Sequence, residues 1–221
     1  ETLANHLDIT SAIVELFRTR FSPALNGDEE IREQREMALE RIILDSLEQV
    51  LNLGQDRIIR QFARVVKATV RTNFFQETED GGLKSYFSFK LRPAEIPDVP
   101  RPVPLFEIFV YSPRVEGVHL RGGKVARGGL RWSDRQEDFR TEVLGLVKAQ
   151  QVKNAVIVPV GAKGGFVARQ LRPEMSRAEV QEEGVACYEL FIRALLDITD
   201  NRNGDGVVRP PQVVAKDEDD P

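Results

Sequence analysis

The chain is expected to be α/β, a mixed sheet with packed helices preceded by an N-terminal helical segment. Three observations predict this. Apolar residues recur at helical spacing through the first 75 or so positions, alternating patterning replaces them after Gly82, and the order from residue 83 reads strands, helix, strand, helix. The expected division is a helical segment over residues 1–78 and an α/β substrate-binding domain, itself incomplete, over 79–221.

The helical segment is read from three apolar stripes. Ile9, Ile13, Leu16 and Phe17 mark the first, closed by Pro23 and Asn26-Gly27. A second runs from about Glu29 to Leu51, with Met37, Leu39, Ile42, Ile43, Leu47 and Val50 on a broad stripe, and Gly54 breaks it. A third spans about Asp56 to Phe74. The period then changes: Phe87, Phe89 and Leu91 alternate with Ser88 and Lys90, the pattern of a strand. Prolines 93, 97, 100, 102 and 104 hold an extended linker. Leu105–Tyr111 and Val115–Arg121 read as the next strands. Ser133 with Gln136 predicts a capping box for a helix ending near Lys153, and Ser176 with Glu179 predicts another for the last helix. Between them, the apolar run Ala155–Val160 has the pattern of a buried strand sharing that sheet.

Composition excludes several classes. With 41% hydrophobic and 30% charged residues the chain is globular rather than disordered, and a net charge of −4 argues against a nucleic-acid partner. The single cysteine, Cys187, builds neither a disulfide framework nor a thiolate metal site, and its default reading is a packed thiol. No apolar run approaches membrane-spanning length and the N-terminus lacks a signal-peptide pattern, so a cytoplasmic location with no membrane partner is expected. No metal site is expected: His6 and His119 are isolated, and Asn201-x-Asn203-x-Asp205-Gly206 resembles a calcium loop but puts Gln212 where the bidentate Glu belongs. A surface turn explains that segment better. Gly161-Ala-Lys-Gly-Gly165 lacks the order of a nucleotide phosphate loop.

The chemistry concentrates between residues 121 and 165. Arg127 precedes Gly128-Gly129, Lys153 closes the helix, and Lys163 sits between Gly161 and Gly164-Gly165, read as a turn at a strand's C-terminal edge where α/β sheets bind ligands. Each element has an ordinary structural explanation: a tight turn, or a cation at a helix C-terminus. Together they predict a cleft for a small dianion, with Arg127 and Lys153 holding carboxylates and Lys163 as general base. Desolvation and neighbouring cations both favour a lysine's neutral amine, the form that takes a proton. Trp132 is expected either to wall this pocket or to anchor the core beside the turn.

Arg127-Gly-Gly-Leu-Arg-Trp-Ser-Asp-Arg135, Asp138 through Ala149, and Val152 through Phe166 together resemble the large NAD-dependent glutamate dehydrogenases of bacteria, and the similarity runs through nearly the whole chain. The resemblance implies the substrate domain of a glutamate dehydrogenase, oxidative deamination of L-glutamate to 2-oxoglutarate and ammonia, NAD as cofactor, and a homo-oligomer. It implies that Lys163 is catalytic and that Lys153 holds the α-carboxylate. It places Arg127 and Gly128-Gly129 at the side-chain carboxylate, with Arg127 standing where the family has lysine, a swap that keeps charge and changes geometry. No Gly-x-Gly-x-x-Gly follows a strand, so NAD is expected to be bound mainly by a domain beyond Pro221, together with the catalytic acid. The chain is then an internal fragment, inactive by itself. The alternative is a non-catalytic binding or regulatory domain for an amino or oxo dicarboxylic acid, and residues 1–75 are also compatible with a subunit-docking role.

Overall fold

The N-terminal periodicity is realised as helices in a computed structural model that describes residues 1–124, 127–154, 161–204 and 206–220. A short α1 (Thr2–Asn5) leads into α2 (Leu7–Phe21), α3 (Glu29–Leu47) and α4 (Leu53–Ala68). Ile9, Ile13 and Leu16 of α2 close on Ile43 and Leu47 of α3 and Ile59 of α4, forming one small apolar core. The broad stripe expected on α3 is not buried as such: Met37 and Ile42 are more than half exposed. The inner face instead carries Arg32, fully enclosed, which donates to the carbonyls of Thr19, Arg20 and Ser22 at 2.8, 3.0 and 3.2 Å. It thereby satisfies acceptors that the end of α2 leaves without intrahelical partners. Gly54 is not the break. Asn52 is, its side chain accepting from the amides of Gly54 and Gln55 at 2.9 and 3.1 Å, so Gly54 belongs to the first turn of α4.

The helix expected to reach Phe74 stops at Ala68, and Thr69–Thr72 form strand β1. Three of these four residues are β-branched, which favours the pleated conformation. β1 opens a six-stranded sheet with β2 (Phe87–Leu91), β3 (Phe106–Tyr111), β4 (Val115–Arg121), β5 (Leu130–Trp132) and β6 (Ala162–Ala168), in spatial order β1-β2-β3-β4-β6-β5. Neighbours are antiparallel except β5 and β6, which run parallel and are joined by α5 (Phe139–Asn154), the crossover a parallel pair needs. α5 covers one face, where Phe139, Val143 and Val147 meet Val118, Leu120 and Val167. α6 (Arg177–Leu196) covers the other, where Phe191, Ala194 and Leu195 meet Ile108, Val110 and Phe166. Cys187 is packed in that core, and burial pushes its thiol up to about 12. A small exposed hairpin follows, β7 (Asn201–Asn203) against β8 (Gly206–Val208), where the surface turn was placed; Asp205 lies outside the described residues. No helix among the described residues is long and apolar enough to cross a membrane.

Of the two predicted capping boxes, one forms. Ser176 Oγ accepts from the Glu179 amide at 3.3 Å, and Glu179 accepts from the Ser176 amide at 2.7 Å. The other does not, because α5 begins at Phe139 rather than after Ser133. The Ser133 hydroxyl accepts from the Arg135 amide at 3.0 Å and donates to Glu142 at 2.6 Å, tying the loop to the helix instead of capping it. The strand expected at Ala155–Val160 lies outside the described residues.

β2 alternates as its pattern predicts, yet its polar side is the more enclosed: Ser88 and Lys90 are 0% and 1% exposed. Lys90 stands directly opposite Arg71 of β1, and like charges so placed repel. Asp217 answers both, accepting from Arg71 Nε and from Lys90 Nζ at 2.5 Å each. Asp220 accepts from Lys90 at 2.6 Å and from Arg121 of β4 at 2.7 Å. Asp200 takes Arg71 bidentately at 2.6 and 3.0 Å, and its Oδ2 also accepts from the Asp220 amide at 2.7 Å. Three cations and three carboxylates are thus closed on one another. Removing one member leaves an uncompensated buried charge, which costs far more than a surface pair is worth.

Asp220→Asn is therefore expected to lower stability by about 3–5 kcal/mol, read by urea unfolding, and a loss under about 1 kcal/mol would show that solvent compensates the cluster. Burial alone would raise the Asp220 carboxyl, but Lys90 and Arg121 outweigh it and hold the group below its ordinary value, and Arg71 does the same for Asp200. A depressed folded pKa contributes stability that is complete above the unfolded value of about 3.9 and is lost as pH falls through the folded one. Stability should drop steeply below about pH 4 in the native chain and less steeply in Asp220→Asn.

Candidate active site

Sequence-distant glycine pairs meet here through the main chain. β5 lies parallel beside β6 with Leu130 opposite Gly164 and Trp132 opposite Phe166. The pairing extends ahead of the strand: the Ala162 amide donates to the Arg127 carbonyl at 2.9 Å, and the Gly164 amide to the Gly129 carbonyl at 3.2 Å. Arg127-Gly128-Gly129 and Lys163 are therefore laid side by side.

Gly164 and Gly165 do not form the turn their composition suggests. They lie inside β6, and Lys163 is its second residue, paired opposite Leu120 of β4. Their lack of side chains serves close packing on both faces. A Cβ on Gly165 would stand 2.5 Å from Val143 of α5, and one on Gly164 would collide with Leu130 and come within 2.9 Å of His119. Lys163, sharing a face with Leu120, points to the α5 side and is half-buried. Its amine lies 3.7 Å from where a Gly129 Cβ would stand, so a bare glycine keeps the approach to that nitrogen open. Gly128 is constrained differently, since a Cβ there would run into the Ala162 carbonyl.

Lys153 falls in the last turn of α5, and its side chain lies outside the described residues. One turn earlier, Gln150 reaches Gly161: a Cβ on Gly161 would sit 2.5 Å from the Gln150 amide nitrogen and 3.1 Å from the Arg127 carbonyl. No motif in the sequence marks Gln150, although it precedes Lys153 by about one helical turn on α5. Arg127 itself is exposed at the rim. Glu142 braces the opening of the site, paired with Arg131 of β5 and accepting from Ser133. Trp132 does not wall this site: it packs on the α6 side, stacked on Phe166 with centroids 6.3 Å apart and fitted against Gly184. Among the described residues, no group of three or more His, Cys, Asp or Glu side chains is placed to hold a metal ion.

The family described as "Bacterial NAD-glutamate dehydrogenase, catalytic domain" matches residues 42–221. The chain is 63% identical to the NAD-specific glutamate dehydrogenase of Pseudomonas aeruginosa over 216 residues, which is 98% of this chain and 13% of that protein. It is 57% identical to the Halomonas elongata protein of the same name over its whole length, again 13% of the relative, and 49% identical to the Mycobacterium tuberculosis one over 99% of this chain and 14% of the relative. The chain thus spans about an eighth of the length of these relatives.

Gly128→Ala is expected to force β5 and β6 apart and to cost about 1–3 kcal/mol, as over-packing against a rigid group does. Gly129→Ala should change stability by less than about 1 kcal/mol, because its Cβ meets only a side-chain amine at ordinary contact distance. Urea titration of the pair checks this, and equal losses in both would refute the assigned difference.

Proposed function

Since the chain belongs to the bacterial NAD-glutamate dehydrogenase catalytic-domain family, we propose that the protein carrying it deaminates L-glutamate oxidatively to 2-oxoglutarate and ammonia. The observation that carries this reading is the backbone pairing that sets Arg127-Gly-Gly129 beside Lys163, half-buried and open on the glycine side. NAD accepts the hydride in that reaction. The strand-to-helix junctions among the described residues, β5 to α5 and β6 to α6, contain no glycine, so those two junctions do not fit a dinucleotide pyrophosphate and it is not assigned to them.

In this reading the chain's own part is the amino acid. Arg127 holds the side-chain carboxylate and Lys153 the α-carboxylate through charge-assisted hydrogen bonds, which fixes the substrate at both ends. Gly128 and Gly129 let it approach the backbone. Lys163 takes a proton from the water that adds to the imine carbon, and returns it as ammonia departs. A non-catalytic dicarboxylate-binding domain would use the same cations and leave Lys163 without a proton-transfer role, so kinetics separates the two readings.

Lys163→Ala in the full-length protein is expected to lower kcat for glutamate by about 10²–10⁴-fold with KM little changed, because a base acts only where protons move. Lys153→Ala should raise KM as well. An unchanged kcat with a raised KM in Lys163→Ala would make Lys163 a substrate clamp and overturn its assignment as base.

A further inference from the structure

The α6 face of the sheet holds a second constellation that the amino-acid chemistry does not use. His119 and Arg121 flank Leu120 along β4, and Leu120 shares a face with Lys163, so both lie on the opposite face of the sheet from Lys163. They are 4% and 2% exposed, and both line a cavity of about 520 Å³ whose walls include Gly128, Gly129, Leu130, Tyr188 and Leu195. That volume suits a small organic ligand.

The hydrogen bonds of these two residues use only part of what they offer. Arg121 gives Nη1 to Asp220 at 2.7 Å and Nε to His119 Nδ1 at 3.4 Å. A ring nitrogen that accepts leaves the proton on the other, so His119 carries N–H at Nε2. Burial, reinforced by the Arg121 charge, lowers its pKa to about 4, which keeps the ring neutral in this form at neutral pH. Among the described residues neither His119 Nε2 nor Arg121 Nη2 has a hydrogen-bond partner. Of the two hydroxyl-bearing residues in the lining, Tyr188 and Thr199, Thr199 already donates to the Leu195 carbonyl at 2.8 Å. Donors that face a cavity walled largely by apolar side chains suit an acceptor brought by a ligand, and a guanidinium N–H favours a carboxylate. Among the described residues Arg121 is the one cation in the lining, which favours a monocarboxylate over a dicarboxylate.

We propose that this cavity binds a small monocarboxylic acid with a compact apolar or aromatic body. The carboxylate accepts from Arg121 and His119, and the body lies against Leu130, Tyr188 and Leu195. The cavity shares Gly128 and Gly129 with the proposed deamination site, but Lys163 lies on the other face of the sheet, so binding here does not require its amine.

Isothermal titration of the full-length protein with phenylacetate tests the proposal, with phenylacetamide as the uncharged comparator. His119→Phe keeps the ring and removes the donor. Leu196→Trp fills the mouth from a residue that is 62% exposed and touches no core packing. Phenylacetate should bind saturably, about tenfold or more weakly in each variant, and with unchanged affinity in Lys163→Ala; phenylacetamide should bind at least about tenfold more weakly to the native protein, as loss of a charge-assisted hydrogen bond implies. Absence of saturable binding at millimolar phenylacetate, equal binding of the amide, or unchanged affinity in both variants would overturn the site. So would a loss in Lys163→Ala with binding retained in Leu196→Trp, since the probe would then occupy the other face. Failure of the deamination reading appears only in the Lys163 kinetics and leaves these titrations untouched.

Discussion

Three cations on the α6 face of the sheet, Arg71, Lys90 and Arg121, are enclosed where water cannot neutralise them, and the surrounding structure depends on the carboxylates that do. Asp200 comes from the end of α6, and Asp217 and Asp220 from the acidic run beyond the exposed hairpin. The partners lie from 99 to 146 residues apart along the chain, so no local segment holds its charges satisfied by itself. The strands must be paired, α6 docked and the acidic run laid down before any member is safe. Such a cluster adds little net energy over apolar residues of the same shape, but it makes wrong arrangements expensive. It also explains how a strand as polar on one side as β2 sits near the centre of the fold.

The second constraint is the width of glycine. β5 has only three residues in the sheet, and its hold on β6 is extended by main-chain bonds from Ala162 to Arg127 and from Gly164 to Gly129. That closeness is available because Gly128 carries no side chain toward the Ala162 carbonyl, and Gly164 and Gly165 let Leu130, His119 and Val143 press in from both faces. The glycines that would admit a substrate are therefore also the ones that bring the two halves of the motif together. Glu142 adds a side-chain tie from α5 to Arg131 of the glycine strand and to Ser133.

Much of this was legible in the sequence where a local pattern decides local structure. The strands at Leu105–Tyr111 and Val115–Arg121, the Ser176 capping box and the packed Cys187 all follow from periodicity or cap chemistry, and the family resemblance from a long motif. The misses share a cause. Thr69–Thr72 continue a helical stripe and become a strand only because β2 offers a partner. Gly164-Gly165 read as a turn because their packing against α5 and β4 is invisible to local rules. Ser133 has the chemistry of a cap, yet Glu142 and the Arg135 amide claim its hydroxyl. Met37 and Ile42 match a core pattern and stay exposed, while Arg32 and Lys90 look like surface residues and are buried by acceptors far away in the chain.

The sheet also divides the chemistry. β4 alternates a residue of each face, so Leu120 stands beneath Lys163 while its neighbours His119 and Arg121 belong to the ion cluster and the cavity on the other side. Arg121 joins the two features of that second face: one nitrogen holds Asp220, one orients His119, and the third is left to the cavity. Gly164 lies on the same strand as Lys163 and presses on His119. A strand one peptide thick is thus the only partition between the two sets of polar groups. Any shift of β6 that repositions the Lys163 amine must also change the fit of His119, and close packing allows little slack to absorb it.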